Sequence, residues 1–275
     1  MLFLCEMLVL FATALFVGII GNLVGIGGGV LIMVILLFGF KMQPVVAGGL
    51  SLLTILASAS VGTLSNIRQK ALSRTLFALI SVFAGIGVLV GSVIPYYLNT
   101  KSFETLFGFV SIGIGLFSIY ATQRDIKNLA GISKSFSSLS EAEREHAKEN
   151  IRGKPKIGIY SFVAGLVAGI FGIGIGGIVG TYLTAIKKIQ PKVAFSTVLA
   201  AMIVTSVLGS YAHLFSIKNG AAMLGIILSL AIGVGIGALV GSHLSMLVKS
   251  SKLRFAQGYI ILGLGIIAAI FSFIM

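Results

Sequence analysis

Two short glycine stretches are where this chain can do chemistry. Gly25-Ile26-Gly27-Gly28-Gly29 and Gly172-Ile173-Gly174-Ile175-Gly176-Gly177 each interrupt a long apolar run. Glycine in a helix interior costs about 1 kcal/mol relative to alanine, so four glycines within five residues argue for a broken helix. A helix resuming near Gly29 or Gly177 would open on unpaired N–H groups and a positive dipole end. With no Cβ in the way, an oxyanion can approach such a backbone closely. Neighbouring side chains add donors: Asn22 before the first break, Ser51 and Thr54 after it, Ser196 and Thr197 after the second. The candidate binding set is therefore Asn22, Gly25, Gly27, Gly28, Gly29, Ser51, Thr54, Gly172, Gly174, Gly176, Gly177, Ser196 and Thr197. Each hydroxyl has a competing duty, a bond to the carbonyl one turn back in its own helix. The chemistry this set implies is reversible, multi-donor binding of a small anion, without a full counter-charge.

The elements that hold these residues are membrane spans. Of 275 residues, 57% are hydrophobic and 10% charged, with mean hydropathy +1.11. That composition specifies an all-α polytopic membrane protein. The first 24 residues do not read as a signal peptide, because they lack a basic start, carry Glu6 and run on into further apolar sequence. A broken segment is expected at 2–40, then spans near 45–64, 76–98 and 103–120. Residues 122–156 are hydrophilic, with a short amphipathic helix expected at 141–150 behind the capping pair Ser140 and Glu143. A second broken segment at 157–186 precedes spans near 193–215, 221–248 and 255–275.

The chain repeats itself. At an offset of 147, Gly18, Gly25, Gly27 and Gly29 fall on Gly165, Gly172, Gly174 and Gly176. Lys41, Gln43 and Pro44 fall on Lys188, Gln190 and Pro191. At an offset of 150, Gly87 and Gly91 fall on Gly237 and Gly241, pairs whose spacing suits close helix packing. Three parts follow: a first transmembrane repeat at 1–122, a linker at 123–156 and a second repeat at 157–275.

Charge orients the repeats. If each broken segment enters and leaves on the same side, seventeen of the 20 basic residues share one face, with Lys41, Lys101 and Lys218 opposite. That asymmetry satisfies the positive-inside rule. The expectation is two inverted-topology repeats, each with a re-entrant or short paired helix segment plus three membrane spans. The basic loops and the linker would be cytoplasmic and both termini outside, in the cell (inner) membrane.

At the glycine breaks, the Lys-x-Gln-Pro turns and the segments Ala47-Gly48-Gly49-Leu50-Ser51 and Ala194-Phe195-Ser196-Thr197, the sequence resembles the TauE/SafE family of membrane transporters. The resemblance implies movement of sulfite, organosulfonates or similar small sulfur-containing anions. A carrier working by alternating access and an anion channel with the same midplane site both fit. An enzyme does not: the spans hold no paired carboxylates, Gly-x-Ser-x-Gly elbow or His-Glu-x-x-His helix. Gly172-x-Gly174-x-x-Gly177 matches a dinucleotide fingerprint in letters only, since no strand precedes it. The single Cys5 gives no disulfide, and no metal or other cofactor is expected. The partners are a small anion and the bilayer, not nucleic acid, since the +13 net charge sits in loops. Ionisable groups near spans are Glu6, Glu104, His213 and His243; Glu6 and Glu104 are expected at interfaces and His213 near a span end.

Overall fold

The structure, a computed structural model, describes residues 2–25, 27–67, 72–132, 154–187, 189, 191–214, 220–247 and 250–274. The described residues form ten α-helices: α1 (Leu2–Val24), α2 (Gly29–Val34), α3 (Pro44–Ile67), α4 (Arg74–Gly91), α5 (Thr100–Ile132), α6 (Lys154–Phe171), α7 (Gly176–Thr181), α8 (Pro191–Leu214), α9 (Gly220–Leu247) and α10 (Ser250–Ile274). Seven helical stretches are long and apolar enough to cross a membrane. Three are shorter: Gly29–Gly39, Pro155–Phe171 and Gly176–Ile186. The first and last of these are α2 and α7 with the π-helical turns that extend them, Ile35–Gly39 and Tyr182–Ile186. At 1.5 Å per residue they reach about half of a bilayer's hydrocarbon thickness.

The duplication extends to single backbone bonds. Phe40 N–H bonds the Ile35 carbonyl, and Lys187 N–H bonds that of Tyr182. Met42 N–H bonds the Leu36 carbonyl, and Ile189 N–H bonds that of Leu183. Both pairs are related by the offset of 147. Pro44 and Pro191 then open α3 and α8, where a missing N–H is harmless.

Packing joins the halves. Gly233, Gly237 and Gly241 of α9 lie against Phe11, Leu15 and Ile19 of α1, so the two helices run the same way. Gly87 lies against Phe162 and Leu166, and Gly91 against Leu166 and Ile170, so α4 and α6 also run the same way. The pairs α5–α10 and α3–α8 are antiparallel: Gly108 meets Ala269 and Gly115 meets Leu262, while Gly49 meets Leu214 and Gly62 meets Leu199. Exchanging the two halves leaves this set of pairs unchanged. The central pair is α3 and α8, whose apolar windows are 61% buried against 28–39% for the other five. Outward faces carry large apolar side chains such as Leu8, Phe16, Val90 and Phe273.

Several boundaries differ from the sequence expectation, among them the start of α10 at Ser250 rather than near 255. Helix α4 stops at Gly91, and a 3₁₀ turn, Ile94–Tyr97, follows with Pro95 in it. Proline lacks the N–H that would extend the α-helix. The repeat-equivalent of Pro95 is Ser245, and α9 runs through it. Helix α5 continues past its expected end to Ile132, and α6 begins at Lys154. The amphipathic helix expected at 141–150 lies outside the described residues.

Two glycines of α9 separate packing from propensity. A Cβ on Gly237 would run into the Leu15 carbonyl oxygen, whereas one on Gly235 meets nothing within 4 Å. Gly237→Ala should lower stability by about 1–3 kcal/mol through overpacking. Gly235→Ala should be neutral or raise it by up to about 1 kcal/mol through helix propensity. Thermal unfolding of the two purified variants in detergent measures both, and equal shifts would contradict this packing.

Candidate functional site

The two glycine breaks meet. A Cβ on Gly29 would lie 2.9 Å from the Ile173 carbonyl oxygen, and one on Gly176 would lie 3.5 Å from the Gly25 carbonyl oxygen. The chain turns at both places through left-handed backbone. Gly25, Gly27 and Gly28 have φ of 80°, 76° and 79°, and Gly172 and Gly174 have 65° and 73°. Side chains with a Cβ rarely adopt those values, which is why each break needs glycine. The second break uses one fewer, because Ile175, which stands where Gly28 stands in the first, has φ −87°. Helix α2 resumes at Gly29 and α7 at Gly176, close to the positions read from sequence.

Ser51 ties the breaks together. Its hydroxyl is buried, 2.6 Å from the Gly172 carbonyl oxygen and 3.0 Å from that of Gly29. One O–H hydrogen serves one acceptor at a time, and the shorter contact favours Gly172, whose carbonyl has no helix to bond within. The backbone of Gly48 supports the same corner, 2.8 Å from a Cβ on Gly172. Asn22 holds the first break from the other side, donating from Nδ2 to Ser58 Oγ at 2.6 Å.

The other hydroxyls of the candidate set are spent locally. Thr54 donates to the Ser51 carbonyl at 2.7 Å, and Thr197 to the Val193 carbonyl at 2.7 Å. Thr197 also accepts the Ser73 N–H at 3.1 Å, which attaches it to the start of α4 rather than to the breaks. Ser196 is buried on α8. Gly28 packs back on α1, where a Cβ would lie 2.9 Å from Val17 Cγ1, and Gly177 faces α10. The breaks thus gather Gly25, Gly27, Gly29, Gly172, Gly174, Gly176 and Ser51. The repeat-equivalent of Ser51 is Val198, so the polar clamp is on one side only.

Two apolar side chains fill the remaining space. Met202 Cε lies 2.9 Å from a Cβ on Gly27 and 3.1 Å from one on Gly174, and its Sδ is 3.0 Å from one on Gly176. Ile55 reaches Gly29 and Gly174 from α3. Both are fully buried, both stand near the middle of their helices, and each occupies the other's position under the 147 offset. An aliphatic residue in an apolar span carries no chemical signal, so in sequence only the repeat offset that exchanges the two sets them apart.

His213 was expected near a span end and sits in the last turn of α8, yet its ring is wholly buried. Nε2–H donates to the Gly169 carbonyl at 2.7 Å, one of the carbonyls that α6 leaves unpaired as it ends. Ala168 O takes the Gly172 N–H at 2.8 Å. Side chains of α3 and α8 thus complete the end of α6. Glu6 and His243 are exposed and Glu104 is half-buried, away from the breaks.

The match to known proteins follows this architecture across the chain. The sulfite exporter TauE/SafE family matches residues 10–269. The chain belongs to the TauE/SafE family. It is accordingly a membrane transporter and not an enzyme. A probable membrane transporter protein, YunE of Bacillus subtilis (strain 168), is 28% identical over 221 residues, covering 77% of this chain and 79% of that protein. No solved structure matches. Both glycine breaks and the packed stretches of all four helix pairs lie within the part shared with the family.

Ser51→Ala would leave the Gly172 carbonyl buried without a donor. A loss of about 1–3 kcal/mol is expected. Thr54→Ala removes only a bond within its own helix and should change stability by less than about 1 kcal/mol. Chemical or thermal unfolding of the two variants tests the difference, and an equal or larger loss for Thr54→Ala would contradict the clamp.

Proposed function

We propose that this transporter is a secondary carrier of small sulfur-containing anions, sulfite, organosulfonates or similar, working by alternating access. The observation that carries the reading is the meeting of the two breaks beside the midpoints of α3 and α8. There the segments Gly29–Gly39 and Gly176–Ile186 begin, and each start offers unpaired N–H groups and a positive dipole end. One helix end contributes roughly 0.3–1 kcal/mol toward an anion, up to about 2 when partly buried, so two ends and several donors must act together. Asn22, Ser51 and Thr54 are the donors closest to hand, Thr54 by turning away from the carbonyl it bonds, whereas Ser196 and Thr197 would have to be brought in by movement of α8.

The halves are read as inverted-topology repeats. The parallel α1–α9 and α4–α6 pairs and the antiparallel α3–α8 and α5–α10 pairs support this, being the pattern expected of a second half that runs opposite to the first. With seventeen of 20 basic residues on one side, the basic loops are cytoplasmic and the termini outside, in the cell membrane. Ile55 and Met202 favour a carrier over a channel. They occupy the space between the breaks, so conduction requires them to move first.

Reconstituted protein should show saturable sulfite flux, competed by organosulfonates. Replacing both Ile55 and Met202 with alanine should raise flux and weaken its saturation, because the plug is removed. Absence of flux for every sulfur anion in folded protein would overturn the substrate class. Linear, unsaturable flux in the unaltered protein would favour the channel.

A further inference from the structure

Gln257, outside the candidate set, lies against the start of α7 with an unused donor. It lies on α10, is 1% exposed, and its Nε2 has no hydrogen-bond partner. A Cβ on Gly177 would lie 3.3 Å from that nitrogen. The amide therefore lies beside the second residue of Gly176–Ile186, where a Cβ would press on it. Val179 N–H bonds the Ile175 carbonyl, so the N–H groups of Gly176, Gly177 and Ile178 precede the first one paired across the helix start.

A buried amide without a partner is unfavourable, and most such groups find one. Ser111, Ser161 and Ser206 also have unpartnered hydroxyls, but a helical serine can turn to a carbonyl of its own helix. Gln257 instead extends across to α7. A primary amide adds two N–H donors beside those at the helix start, and the group that would satisfy both sets is an acceptor with several lone pairs. The repeat-equivalent of Gln257 is Phe107, which is buried with its ring 5.9 Å from that of Phe171. Position 257 is thus polar in one half and aromatic in the other.

We propose that Gln257 is an anion-binding residue, donating from its side-chain amide to an oxygen of a small oxyanion held against the start of α7. This rests on the transporter reading above and assigns the second half of the site the stronger share of binding.

The test is anion binding by the purified full-length protein in detergent, read as the rise in Tm with added sulfite or methanesulfonate against chloride. The unaltered protein should show a saturable rise. Gln257→Met should weaken apparent affinity at least about tenfold, the scale of one lost donor bond, with unliganded Tm unchanged or higher because an unpaired group is gone. Gln257→Glu should abolish the rise, since a carboxylate repels the anion. If Gln257→Met does not fold, Gln257→Asn retains an amide but withdraws it from Gly177 and should also weaken binding. Unaltered affinity in the folded Met or Asn variant would overturn the role of Gln257 and leave the transporter reading standing. If neither anion binds the unaltered protein, the anion reading and this assignment fall together.

Discussion

A backbone polar group in hydrocarbon must find a partner within the protein, and this fold is arranged around that constraint. Breaking two helices in the same region exposes N–H and C=O groups that no water of the bilayer core can satisfy. The two breaks are placed against each other, and α3 and α8 cover them. Ser51 reaches both breaks, His213 takes a carbonyl at the end of α6, and Asn22 fixes the end of α1 through Ser58. Each of these side chains would look like an isolated polar residue in an apolar span. Together they supply what the broken helices gave up.

The same economy governs helix packing. Lipid tails are as apolar as leucine, so helices associate by close contact rather than by hiding from water. Glycines at Gly87, Gly91, Gly237 and Gly241 let backbone meet backbone. The broken helices are thereby gripped along their unbroken lengths, α1 by α9 and α6 by α4. The region of the breaks can be irregular because its flanks are held so closely.

Much of this was readable from the letters. Glycine clusters marked the breaks, because no other residue turns through left-handed backbone so readily, and the resumption points at Gly29 and Gly176 fell within a residue of those expected. The Gly87 and Gly237 pairs announced close packing through spacing alone. Hydropathy placed the long helices but not their ends: a 3₁₀ turn at Pro95 and the run of α5 to Ile132 depend on tertiary context. Which hydroxyls face the breaks was less legible. Ser51, Thr54 and Thr197 look alike in sequence, and only the angle of each on its helix separates a bridge between breaks from a bond to its own turn. The buried ring of His213 was invisible for a similar reason, and Ile55 and Met202 were marked only by the repeat offset that exchanges them, since burial and direction are properties of packing rather than of residue type.

The exchange of partners between halves has a consequence for how the protein is made. Helix α1 leaves the ribosome well before its partner, since Phe11 packs on Gly233, more than two hundred residues later. At synthesis rates of about 5–20 residues per second, α1 waits roughly 10–40 s for α9. Throughout that interval the face of α1 that will receive Gly233, Gly237 and Gly241 waits for them. The first half therefore cannot reach its final form while it stands alone. The membrane holds an unfinished assembly until the second half arrives, and biogenesis depends on keeping that intermediate from pairing with the wrong helix.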